Sequence, residues 1–221
     1  YLMLTTSQRN LLEYPWPKWS QWVDFLEVSI DEGHRNMELF DVLPEMARYD
    51  VVLSVQTVVR AQDQGDMARK TKICAKNGCK ILLMPAVELD GACHDFPEFL
   101  EFEREVISLK KRYPTTVITP RAYFRRVHRK HGGCSPASII VNSDGFLYYP
   151  CRTLERKAVN LVDTDLMTYL RSPVAQACRQ EMRDCTRDCG WYQYFATPSF
   201  LNPRDFWDAF RPYAADFFRH H

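Results

Sequence analysis

Val51-Val52-Leu53-Ser54-Val55-Gln56-Thr57-Val58 is one of four β-prone apolar runs that decide the fold of this chain; the others are Leu2-Met3-Leu4-Thr5, Phe25-Leu26-Glu27-Val28-Ser29-Ile30 and Lys80-Ile81-Leu82-Leu83-Met84-Pro85. Helical stretches separate them. Such alternation predicts βα units, hence an α/β fold with a parallel sheet covered by helices. Between Asp66 and Asn77, Met67, Thr71 and Cys74 share one helical face, and Gly78 stands where a left-handed cap is wanted, so Cys74 reads as a core residue. Phe99, Phe102, Val106 and Leu109 follow helical spacing with charges between them, the pattern of an amphipathic covering helix. From Asn36 to Tyr49 the pattern is weaker, because Pro44 must kink a helix or start a second short one.

Composition narrows the function. The 221 residues carry a formal net charge of +1 with Lys and Arg dispersed, which argues against a nucleic-acid surface driven by phosphate contacts. The densest basic run, Arg121 to Lys130, alternates with Tyr123, Phe124 and Val127 and reads as a helix with one solvated cationic face. No apolar run reaches membrane-spanning length. There is no Gly-rich phosphate loop, no nucleophile elbow and no histidine pair at metal-ligand spacing. Asn202-Pro203 reads as an N-cap with proline at the first helical position, opening a helix with Phe206, Phe210, Tyr213 and Phe217 on one stripe. Trp16, Trp19 and Trp22, three residues apart, read as packing residues.

Five of the eight cysteines, Cys134, Cys151, Cys178, Cys185 and Cys189, fall between residues 134 and 189. Two β-prone runs joined at Asn142-Ser143-Asp144-Gly145 signal a hairpin that returns Cys151 towards Cys134. Cys185 and Cys189 follow a predicted helix and precede the aromatic run Trp191-Tyr192-Gln193-Tyr194-Phe195. Three chemistries compete for such thiols. A disulfide framework suits small secreted chains, zinc favours closer CxxC pairs, and iron–sulfur ligation tolerates wider spacings.

The order Cys134-x10-Gly145-x5-Cys151 ending in Pro150-Cys151, then Asn160-Leu161, Leu170-Arg171-Ser172-Pro173 and Cys185-x3-Cys189-Gly190, resembles the SPASM or twitch-type auxiliary-cluster domain of radical SAM enzymes. In the earlier part, Leu4-Thr5-Thr6-Ser7-Gln8, Leu26-Glu27-Val28-Ser29-Ile30-Asp31 and Ser54-Val55-Gln56-Thr57-Val58-Val59 resemble the third, fourth and fifth strands of that family's partial barrel. The resemblance implies one auxiliary 4Fe-4S cluster held by Cys134, Cys151, Cys185 and Cys189, with Cys178 as alternate ligand. It also implies S-adenosylmethionine (SAM) contacts at Ser29, Asp31, Ser54 and Gln56. The family's catalytic cluster reduces SAM to a radical that abstracts a substrate hydrogen.

The Cx3Cx2C motif that holds that catalytic 4Fe-4S cluster is absent from these residues, and the chain opens at Tyr1 inside a strand, so a fragment with no catalytic residue of its own is expected. The expected organisation is a truncated part-barrel over 1–131, an auxiliary-cluster domain over 132–197 and an aromatic helix over 198–221. As a full-length protein this would be a cytoplasmic radical SAM oxidoreductase or transferase. Its partners would be an electron donor and an unknown substrate, whether peptide, cofactor precursor or small metabolite, with no nucleic acid and no transmembrane segment. The second expectation is a non-catalytic iron–sulfur or zinc module that docks a partner or passes electrons.

Overall fold

A computed structural model describes residues 2–87, 95–128, 139–151, 154, 156–187, 189–196 and 202–217. The chain forms two compact units. The first comprises residues 1–86, 94–119 and 200–221; the second comprises 87–93 and 120–199.

In the first unit, β1 (Met3–Thr6), α1 (Trp16–Trp19), β2 (Phe25–Ser29), α2 (Leu43–Met46), β3 (Val52–Val59), α3 (Met67–Lys76), β4 (Lys80–Pro85) and α4 (Phe99–Arg112) follow one another. All four expected strands form, and they pair in parallel in the order β1-β2-β3-β4. Beside β4, Val117 adds a parallel bridge to Ile81. Side chains alternate across a strand, so paired residues share a face. On one face Leu26, Val28, Leu53, Val55, Val59, Ile81 and Leu83 are buried, and helix residues Leu43, Met46, Met67, Cys74, Phe102 and Val106 complete the core. The opposite face carries Thr5, Glu27, Ser29, Ser54, Gln56 and Lys80 interleaved with Met3, Phe25, Val52, Val58, Leu82 and Met84, of which Val52, Leu82 and Met84 are buried.

Local chemistry sets the helix ends. Glu98 accepts from the backbone N–H groups of Leu100 and Glu101 at 3.1 and 2.6 Å and starts α4. Gly78, at φ 68°, ends α3: the Cys79 N–H donates to the Cys74 carbonyl at 2.9 Å and the Gly78 N–H to that of Ala75 at 3.3 Å, a Schellman motif. Pro44 lies in the first turn of α2, after a separate 3-10 turn at Met37–Asp41. Trp16 is fully buried against Tyr14, Trp19 and Tyr49, whereas Trp22 is 58 % exposed.

The second unit contains α5 (Arg121–His128), β5 (Ile140–Val141), β6 (Phe146–Tyr148), β7 (Lys157–Asn160), α6 (Leu166–Arg171), α7 (Pro173–Arg183) and α8 (Tyr192–Phe195). The hairpin forms as its turn residues predict, with Gly145 at φ 82°. The third antiparallel strand, β7, was not foreseen. Asn160 at its end donates to the Asp144 carbonyl at 3.2 Å, and the Leu161 N–H donates to that of Gly145 at 2.9 Å, so β7 locks the turn. Leu147, Tyr149, Tyr169, Ala175 and Cys178 make the core of this unit.

The chain then returns to the first unit through α9 (Pro203–Phe210) and α10 (Ala214–Phe217). Asn202 caps α9, accepting from the Arg204 N–H at 3.0 Å. The expected helix is broken by a 3-10 turn at Arg211–Tyr213 that contains Pro212; within the expected stripe Phe206 stacks on Phe210 at 5.7 Å and is exposed, Tyr213 lies against Phe25, and the Phe217 side chain is outside what the structure describes. The side turned inward is partly acidic. Asp208 pairs with the buried Lys110 at 3.3 Å, and Asp216 with the buried Lys80 at 2.8 Å.

Candidate functional site

Two places carry chemistry. The first is the polar sheet face. Lateral register aligns Thr5, Glu27, Ser54 and Lys80 across the four strands, and one step towards the carboxyl ends Ser29 pairs with Gln56. Towards the amino end of this face the terminal segment makes two contacts, the Tyr213 ring 6.0 Å from that of Phe25 and Asp216 paired with Lys80. Three of the four expected SAM contacts, Ser29, Ser54 and Gln56, therefore share one face.

Asp31 lies elsewhere, in the turn after β2, and is buried. Its Oδ1 accepts from the His34 N–H at 2.9 Å and lies 2.9 Å from His34 Nδ1, while Oδ2 accepts from the Val58 N–H at 3.3 Å. Oδ1 thus closes the turn on itself, and Oδ2 ties it to β3. Asn36, which the sequence reading passed over, is fully buried beside it. Its Nδ2 donates to the Ser29 and Ser7 carbonyls at 2.8 and 3.2 Å, and its Oδ1 accepts from the Asp31 N–H at 3.3 Å. This amide joins the carboxyl ends of β1 and β2. An Asn six residues after the strand-ending run looks like any loop residue, and only the packing singles it out.

Glu27 was also passed over. Burial pushes its carboxyl above the ordinary glutamate range, against a smaller opposing effect of the Thr5 hydroxyl at 3.5 Å. The signal was present in the period-two polar positions of three successive runs. A charged residue at such a position in a parallel strand is uncommon enough to mark it.

The second place is the thiol region of the second unit. Cys134 lies outside the described residues. Cys151 is buried directly after Tyr149-Pro150. Cys178, on α7, is buried against Tyr149 and Tyr169, and the Tyr169 phenol is pushed up by burial and by this thiol. Arg179 donates to the Tyr149 hydroxyl at 2.9 Å and the Leu170 carbonyl at 3.0 Å, which fixes that ring.

Cys185 and Cys189 are half-buried after α7. Beside Cys189, the Tyr123 hydroxyl donates to the Gly190 carbonyl at 2.9 Å, and the phenol is pushed up by burial and by the Cys189 thiol. The Trp191 indole N–H is buried with no acceptor among the described residues. Among the described residues no three His, Cys, Asp or Glu side chains stand together as a metal-holding group. Cys74 and Cys79, in the first unit, are buried at the Schellman turn; burial pushes both thiols up, that of Cys79 to about 12.

No protein-family model matches the chain, and no curated protein is similar to it at a significant level. Among the described residues no helix is long and apolar enough to cross a membrane.

Proposed function

We propose that this chain is the later part of a radical SAM enzyme, whose sheet unit is a segment of the partial barrel and whose second unit holds an auxiliary iron–sulfur cluster. The observation that carries the reading is the sheet itself. Four parallel strands follow one another without reversal, and Val117 adds a bridge beside the last. A doubly wound sheet reverses its order, whereas a barrel continues it. Parallel sheets ordinarily have both faces covered by helices; one face packed with apolar side chains and another on which a row of polar residues stands among apolar ones suit a barrel wall with a ligand side.

On this reading Ser29, Ser54 and Gln56 offer neutral hydrogen bonds to SAM at the ligand face. Asp31 and Asn36 hold the strand ends in register and act as positioning residues. In the second unit Cys185 and Cys189 fit a metal centre by their partial exposure, and the buried Trp191 N–H, close to Cys189 in sequence and without an acceptor among the described residues, is a ready donor to an acceptor such as sulfide. Cys134 and Cys151 would complete the set, while Cys178 fits an apolar core better than a ligand position. The described thiols do not make a three-ligand group by themselves. When bound, the catalytic cluster supplies the electron that splits SAM; its Cx3Cx2C motif would lie in sequence beyond these 221 residues. Substrate and electron donor remain those the chemistry demands: a molecule with an abstractable hydrogen and a low-potential reductant.

The test is anaerobic reconstitution with iron and sulfide, of this chain and of a longer one carrying a Cx3Cx2C motif upstream. With strong reductant and SAM, the longer chain should yield 5′-deoxyadenosine and this chain none. Stoichiometric zinc without sulfide, and no SAM cleavage by the longer chain, would favour the second reading, a non-catalytic metal module.

A further inference from the structure

Among the described residues, the sheet face that carries Glu27 holds that carboxylate with no cation paired to it. Within the row Thr5, Glu27, Ser54 and Lys80, the lysine at the end is already tied to Asp216, 2.8 Å away. Glu27 has the Thr5 hydroxyl at 3.5 Å, the outer limit of a hydrogen bond. Beside it stands the neutral Tyr213 phenol, pushed up by burial and then by the Glu27 and Asp216 carboxylates, and Asp216 has its own counter-ion in Lys80. Taking a carboxylate out of water without a counter-charge destabilises a fold, and a neutral side chain here would not. Next to it the buried Ser54 hydroxyl makes no hydrogen bond among the described residues, and one step farther along Gln56 Nε2 reaches only Met84 Sδ, at 3.8 Å. An anionic ligand would meet Glu27 with no unpaired cation in the row to offset it. A cation would meet the charge it lacks.

We infer that this face binds a substrate bearing a protonated amine, with Glu27 as its counter-ion, beside the Ser54 and Gln56 side chains that the proposed function gives to SAM. The inference rests on the reading that the polar face is the ligand face, and it needs neither iron nor SAM.

The test uses the full chain and three probes of equal length: n-butylammonium, 1-butanol and butyrate. Binding is followed by saturation-transfer NMR. Butylammonium should bind saturably and more tightly than the other two, and Glu27→Gln should weaken it by about tenfold, to the level of 1-butanol. In the unmodified chain, 13C NMR of the glutamate carboxyls should show butylammonium lowering the titration midpoint of Glu27. Equal binding of butanol or butyrate, or full butylammonium affinity in a folded Glu27→Gln chain, overturns the inference. If Glu27→Gln does not fold, the carboxyl titration decides, and a midpoint unmoved by butylammonium overturns it. SAM should leave the bound probe in place; displacement would assign Glu27 to the cation of SAM and overturn the assignment to a substrate. A negative result here leaves the SAM-cleavage assay to stand or fall alone, and a failed SAM assay leaves these binding measurements intact.

Discussion

Cys178 sits among Tyr149, Tyr169 and Ala175, where a thiol behaves as a small apolar side chain. Replacing it with Ser puts a hydroxyl in that core and should lower the stability of the second unit by about 1–2 kcal/mol, read from denaturant unfolding. Iron bound after reconstitution should be unchanged in that variant and abolished by Cys151→Ser or Cys189→Ser; loss of iron with Cys178→Ser would make it a ligand. Glu27 makes a residue-level prediction of its own. Its carboxyl is raised in the folded chain, so the folded state prefers the protonated form, and stability present below the ordinary glutamate range is lost as pH rises through the raised value. Glu27→Gln should therefore melt higher than the parent at neutral pH, with the gap closing in acid. Thermal melts across pH would show this, and a gap that widens in acid would reverse the assigned sign. A carboxylate that lowers stability where it stands is the kind of exception that functional sites retain.

At the scale of elements, two glycines end or turn a segment for different reasons. Gly78 adopts φ 68° at the end of α3 with open space where a Cβ would sit, so Gly78→Ala should cost only the left-handed backbone strain, about 1–2 kcal/mol. Gly145 adopts φ 82°, and a Cβ there would lie 2.7 Å from Asn160 Oδ1 and 3.3 Å from Val162 Cγ2. Gly145→Ala should therefore cost more than Gly78→Ala and should loosen β7 as well as the hairpin. Amide hydrogen exchange at Leu161, whose N–H bonds the Gly145 carbonyl, would report it.

On the scale of the whole molecule, the terminal segment returns to the sheet unit by charge as well as by its aromatic rings. Lys110 donates to the Thr119 and Asp208 carbonyls at 2.9 and 3.2 Å and pairs with the Asp208 carboxylate, while Asp216 pairs with Lys80. Both lysines are buried, so removing either carboxylate strands a charge. Asp216→Ala should cost about 2 kcal/mol, below the value for a fully buried pair because Asp216 is partly exposed. Limited proteolysis at Arg211 should quicken in that variant, and an unchanged cleavage rate would mean that ring packing alone holds the segment.

The four strand segments, the left-handed cap at Gly78, the Asn202 cap and the Asn-Ser-Asp-Gly hairpin turn were all determined by sequence, because each depends on residues within a few positions of one another. Periodicity and turn chemistry are local, and local signals survive in one dimension. The third strand β7 and the break in the terminal helix were not legible there: β7 is short and gains its place by locking a turn, through a Leu161–Gly145 bond that spans 16 residues. Which polar residues face one another was decided by the tertiary structure alone. Glu27 became distinctive once parallel register set Ser54 and Thr5 on either side and left Lys80 committed to Asp216, and Asn36 once it bridged two strand ends. Such placements depend on contacts between residues far apart in the chain, and the desolvation that gives a buried group its chemistry exists only after those contacts have formed.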